Sequence, residues 1–165
     1  MINNRLAILA TGLLGNQLMV WGFDYLLYPF VLYNFGLWKG GLIMILLSFL
    51  VCRLTIYFYD YSKKDWLGIE AIKGLKEQTP KNYFERVSKF FLSKSELLAF
   101  FFLSIRFDPF ITTVYLREGA NEFNGMKRKD WSIFLYSLAI SNIYWLIIVE
   151  AGIDLLKYFK TILAI

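Results

Sequence analysis

The sequence predicts an all-α polytopic integral membrane protein: two full spans plus two broken or re-entrant helical hairpins as an inverted repeat, with amphipathic linker helices on the cytoplasmic surface. Three observations lead there. The 165 residues are 58% hydrophobic and 19% aromatic, with a mean hydropathy of +0.48, well above a soluble domain's mixture. Long apolar segments alternate with shorter basic ones. Two of the apolar segments carry a proline and charged residues where a plain anchor would carry neither. At this length the whole chain, 1–165, reads as a single membrane domain.

The first segment runs from about 6 to 37, and its only formal charge is Asp24. A continuous helix between Arg5 and Lys39 would be about 50 Å long against a hydrocarbon core of about 30 Å. It must therefore tilt, lie along the interface or break. Pro29, in FDYLLYPFVLYNFG, is the expected breaking point, because it removes a backbone donor and crowds the preceding turn. Arg5 followed by LAILATGLLG resembles a signal peptide, but the apolar run continues past any h-region, so the segment is expected to be retained.

Residues 40–59, GGLIMILLSFLVCRLTIYFY, have ordinary spanning length, with Arg53 near enough to one end to snorkel. The polar region 62–94 is patterned. Trp66, Ile69, Ile72 and Leu75 form one helical stripe; Tyr83, Phe84, Val87, Phe90 and Phe91 form another after Thr79-Pro80. Two amphipathic surface helices fit this pattern. Ser93 and Glu96 have capping-box spacing and are expected to mark the start of the next helix.

The third segment, 97–116, contains SIRFDPFI. A single charge near the midplane costs about 2.5–3.5 kcal/mol on insertion scales. Arg106, Asp108 and Pro109 together thus make a poor anchor but a plausible bend. Charge supports the bend. The region 60–96 carries eight Lys or Arg, and Arg117, Lys127, Arg128 and Lys129 follow the segment. A crossing would separate these two basic regions, against the positive-inside tendency, whereas a re-entrant hairpin leaves both cytoplasmic. The fourth segment, 131–156, reads as a full span. Its Asn142 and Ser141 are expected to bond a neighbouring helix, and Glu150 and Asp154 to sit at a solvated end with Lys157 and Lys160.

The two proline-bearing segments resemble each other. Phe23-Asp24 with Pro29-Phe30-Val31, then Tyr33 and Gly36, parallels Phe107-Asp108-Pro109-Phe110-Ile111, then Tyr115 and Gly119. Each is followed by a tryptophan (Trp38, Trp131) and an intact span. One crossing between the units would give them opposite orientations, an arrangement by which transporters build a polar midplane site from broken helices. In this reading Arg106 and Asp108 line such a cavity with Asp24. Arg106 receives an anionic group such as a lipid phosphate, and an acid takes a proton or neutralises the arginine. The alternative is that Arg106 and Asp108 form an ion pair that only locks the hairpin.

Composition also excludes chemistry. There is no histidine and one cysteine, Cys52, which removes disulfides within one chain, Cys/His zinc sites and Ser-His or Cys-His nucleophiles. There is no Walker A loop or G-x-G-x-x-G. The chain is therefore expected to be no enzyme and to carry no cofactor or metal. The net charge of +5 and pI of about 9.2 come from basic residues interleaved with acids, so anionic membrane lipid is the expected partner and nucleic acid is not. So small a chain is expected to enclose a cavity as a homo-oligomer or with a larger membrane-protein partner.

From Phe102 to Leu156 the order RFDPFITT, a glycine, a basic turn and WSIFLYSLAISNIYWLIIVEAGIDLL resembles the second half of the DedA/VTT (SNARE-associated Golgi) membrane proteins, which carry an R-F-x-P-x-x-R-T core. The preceding layout resembles that family too, so the likeness covers most of the chain. Arg106, Phe107, Pro109 and Thr113 match the core. Thr112 stands where the family's second arginine would be, with Arg117 five residues later, and Gly119 falls about one place from the family's glycine. The resemblance implies translocation of a polyprenyl phosphate or phospholipid, down a gradient or coupled to protons, in the bacterial cytoplasmic (inner) membrane. It points to Arg106, Asp108, Pro109, Thr112, Thr113 and Arg117, with Asp24 and Pro29 of the first unit, as the substrate- or ion-binding residues. The alternatives are a non-transporting scaffold or accessory subunit of a larger membrane complex, and a small pore-forming protein.

Overall fold

The computed structural model describes residues 14–63, 65–66, 90, 95–117 and 125–162. The expected linker helices over 62–94 fall almost wholly outside these residues. Every element among the described residues is a helix: α1 (Leu14–Ser62), α2 (Glu96–Arg106), α3 (Pro109–Leu116) and α4 (Arg128–Ile162). Two of them, α1 and α4, are long and apolar enough to cross a membrane.

α1 is not straight, and its break is not at the expected residue. Pro29 has no N–H to offer the carbonyl four residues earlier. The chain absorbs this upstream by widening Gly22–Leu27 into a π-helical turn, in which the Tyr28 N–H donates to the Phe23 carbonyl. Helical geometry then continues through Pro29, which sits in the first turn of Tyr28–Ser62. The discontinuity comes at Gly36, with φ 73° and ψ 173°. That backbone region is accessible essentially to glycine alone.

At Gly36 the chain folds back. Gly40 lies so close to the preceding arm that an added Cβ would stand 3.1 Å from the Val31 carbonyl oxygen and 3.2 Å from Leu32 Cα. Met44 packs with Tyr28, Val31 and Leu32 in one buried cluster. In an unbroken helix Leu32 and Met44 would be about 18 Å apart. α1 is thus two arms, 14–35 and 37–62, about 33 and 39 Å long. Gly36→Ala is expected to cost about 1–3 kcal/mol by straining this turn, read as a lower thermal unfolding midpoint in mild detergent. Gly152→Ala, where a Cβ meets nothing, should leave the midpoint unchanged or raise it; equal behaviour of the two variants would refute the turn's role.

α2 begins at Glu96 and is capped by Ser95, whose hydroxyl accepts from the Leu98 N–H at 3.1 Å. Ser93, the expected cap, lies outside the described residues. α2 ends at Arg106, Phe107 and Asp108 are extended, and α3 starts at Pro109. This is the break the sequence places there, and proline imposes it by disfavouring helical backbone on the residue before it. At about 16 and 12 Å, neither α2 nor α3 alone reaches across a hydrocarbon core.

α4 overruns the expected span at both ends. Asp130 accepts from the Lys127 N–H at 2.8 Å, half of a capping box that starts the helix early. At the far end Lys157 pairs with Asp154 at 3.1 Å on an exposed face, and the helix runs on to Ile162. The buried stripe of α4 serves two clusters. Phe134 packs with Ile56, Leu103, Phe110 and Val114, whereas Val149 and Ile153 pack with the folded α1. Arg53, expected to snorkel, lies over the Trp131 ring with Cζ 5.3 Å from its centroid.

Candidate functional site

Between those two clusters, at the level of Asn142, lies a cavity of about 20 Å³, room for about one water molecule. Its polar groups are delivered by several different local devices. Asp24 projects from the π-helical turn, Asp108 from the extended residue before Pro109, and Ser48 from the intact arm 37–62. Ser141 and Asn142 come from the middle of α4.

Asn142 organises the floor. The Tyr28 hydroxyl donates to its Oδ1 at 2.6 Å, and its Nδ2 donates to Ser48 Oγ at 3.3 Å and to the Leu138 carbonyl at 2.8 Å. Asn142 thereby bonds both arms of α1, the helix-to-helix role expected of it. Asp24 is different: it is 8% exposed and no hydrogen bond or ion pair reaches its carboxyl among the described residues. Among the described residues no lysine or arginine lines the cavity. Asp24 and Asp108, the acids of the two proline-bearing segments, therefore line one small space with no lysine or arginine among its described lining residues.

The other expected site residues are distributed elsewhere. Pro109 lines the cavity and shapes it through the break. Arg106, in the last turn of α2, is exposed and does not line the cavity. The structure thus brings together two of the three charges expected at one site. Pro29 is half-buried and acts through the π turn. Thr112 and Thr113 are fully buried and turned back on their own helix, donating to the Asp108 carbonyl at 3.2 Å and the Pro109 carbonyl at 2.7 Å. They knit the break together and present no hydroxyl to the cavity.

Arg117 forms a second polar centre that spacing alone did not reveal. Its Nη1 donates to Asp60 Oδ2 at 3.1 Å and its Nη2 to Asp60 Oδ1, a bidentate pair. The two side chains are only 3% and 11% exposed. The guanidinium also lies over the Tyr59 ring, 5.9 Å from its centroid, while the Tyr59 hydroxyl donates to Asp65 at 3.0 Å. This assembly ties the end of α1 to the end of α3. In the sequence Asp60 only opens the basic region 60–96. The signal that could have found it is a basic residue just after one apolar segment and an acidic one just after another.

Compared with models of protein families, with curated proteins and with solved structures, the chain finds no match.

Proposed function

We propose that this is an integral membrane protein of the bacterial inner membrane that translocates a lipid phosphate, a polyprenyl phosphate or a phospholipid, through a polar site where two broken helices meet. The membrane setting is supported by what the helices expose. Only 28% and 33% of the most apolar windows of α1 and α4 are buried within the chain, whereas a soluble protein's core helix would be mostly covered. Leu18, Phe30, Tyr33, Trp38 and Ile147 are among many large apolar side chains more than 60% exposed.

The single observation that carries the translocation reading is the convergence of Asp24 and Asp108 on one cavity. Each sits beside a helix irregularity caused by a proline, and each holds the corresponding position of a resembling unit. Two carboxyls in a small, largely apolar space suit the capture of one positive charge, a proton or a cationic group. In this reading Arg106, whose side chain is exposed two residues before Asp108, takes the lipid phosphate from outside. The DedA/VTT resemblance agrees with this division of labour, with the inverted repeat and with re-entry of the α2–α3 segment. A second reading, an accessory subunit that transports nothing, is favoured by the cavity's size, which is far below that of a lipid headgroup.

Two measurements test the proposal. In a Cys52→Ala background, single cysteines replacing Lys81 and Asn121 are expected to react with an impermeant thiol reagent from the same side. Labelling from opposite sides removes the re-entrant hairpin. Vesicles containing the inserted chain are expected to move a fluorescent phospholipid between leaflets faster than protein-free vesicles; equal rates for every lipid phosphate tried would leave the accessory-subunit reading.

A further inference from the structure

We infer that a groove between the arm 37–62 and α4, separate from the central cavity, binds a membrane lipid whose headgroup carries an ammonium group. The groove has a volume of about 620 Å³, within the range of small-molecule sites. Its walls run antiparallel. Arg53 stands over Trp131, Ser48 accepts from Asn142, and Gly41 meets Leu146, whose Cδ2 lies 3.1 Å from where a Gly41 Cβ would be.

That direction gives the groove a polarity along its length. Trp38 and Glu150 lie at one end, and Ile45 with Ile143 at the other, with Leu42 and Ile147 between. An amphiphile with a cationic head and an apolar tail matches this gradient. Among the described residues Glu150 is the only charged one lining the groove, and it has no hydrogen bond or ion pair there. Its neighbour one turn on, Asp154, takes Lys157 at 3.1 Å instead. A half-buried carboxylate beside apolar walls calls for a cation. Trp38 is 89% exposed at the same end and offers an indole face to an ammonium group. A primary ammonium satisfies both, donating hydrogen bonds to the carboxylate and resting on the ring, while an acyl chain fills the apolar length.

The inference rests on the membrane setting proposed above but not on translocation, and the assay that tests it reads binding rather than flux. The full chain, purified in maltoside, is offered equal amounts of phosphatidylethanolamine and phosphatidylglycerol with identical acyl chains, and bound lipid is counted by native mass spectrometry. The ethanolamine lipid is expected to be retained about tenfold better. Glu150→Gln should abolish that preference, and Trp38→Leu should lower retention several-fold. Ile147→Trp, which fills the groove from a position already exposed, should lose both lipids. Equal retention by the wild-type chain, or a preference unchanged in Glu150→Gln, overturns the inference. So does a chain that runs as a dimer and holds neither lipid, which assigns the groove to a second copy. Selective retention without flux leaves the inference standing and removes only the translocation reading.

Discussion

Replacing Arg117 with alanine is expected to destabilise the chain by about 3–5 kcal/mol, because it strands the Asp60 carboxylate in a site that is almost closed to solvent. Two costs combine. The bidentate contact disappears, and a buried charge is left without its partner. Arg117→Lys should recover only part of the loss, since an ammonium cannot reproduce the planar fork or its position over Tyr59. The paired replacement Arg117→Leu with Asp60→Leu should come closer to wild type than either single alanine variant, because no charge is then left alone. The readout is the thermal or denaturant midpoint in mild detergent together with the folded fraction on gel filtration. A single Arg117→Ala change costing under about 1 kcal/mol would place this pair with ordinary surface ion pairs.

Arg106→Ala is expected to do the reverse: to leave assembly intact and to reduce lipid translocation in reconstituted vesicles at least tenfold. Its side chain is exposed at the end of α2 and does not line the cavity, so truncation opens no hole in either buried cluster. The tenfold loss corresponds to about 1.4 kcal/mol, near the lower end for a charge-assisted hydrogen bond to a phosphate. Arg106→Lys should retain part of the flux by keeping the charge. Unchanged flux in Arg106→Ala, measured on a chain that inserts and elutes like wild type, would leave Arg106 without a transport role.

The two arginines illustrate what was legible in the sequence and what was not. Local devices could be read. Pro109 interrupts the third segment at the expected residue because proline acts on its immediate neighbour. Asp24 and Asp108, singled out as rare charges in apolar segments, do line one cavity. Other features needed the third dimension. Pro29 carries as strong a helix-breaking signal as Pro109, yet the chain relieves it with a wider turn and keeps going. The reversal falls instead to Gly36, whose positive φ no hydropathy pattern announces. Thr112 and Thr113 looked like polar groups available to a ligand, but a hydroxyl in a helix without water bonds its own backbone. Asp60 and Arg117 stand 57 residues apart, and Tyr28 and Asn142 stand 114 apart, separations over which spacing carries no information.

Those separations bear on the order in which the chain can assemble. The fold at Gly36 brings its two arms together through contacts only about ten residues distant in sequence, such as Gly40 against Val31, so this unit closes with little loop entropy to overcome. During synthesis it emerges before α3 and α4, and it emerges incomplete. Tyr28 then has no Asn142, Asp60 has no Arg117, and Asp24 faces an open side. The second half supplies all three needs at once as α3 and α4 arrive. The hairpin of α1 is thus a template that its own polar residues hold unfinished, and the later α4 is the helix that seals it.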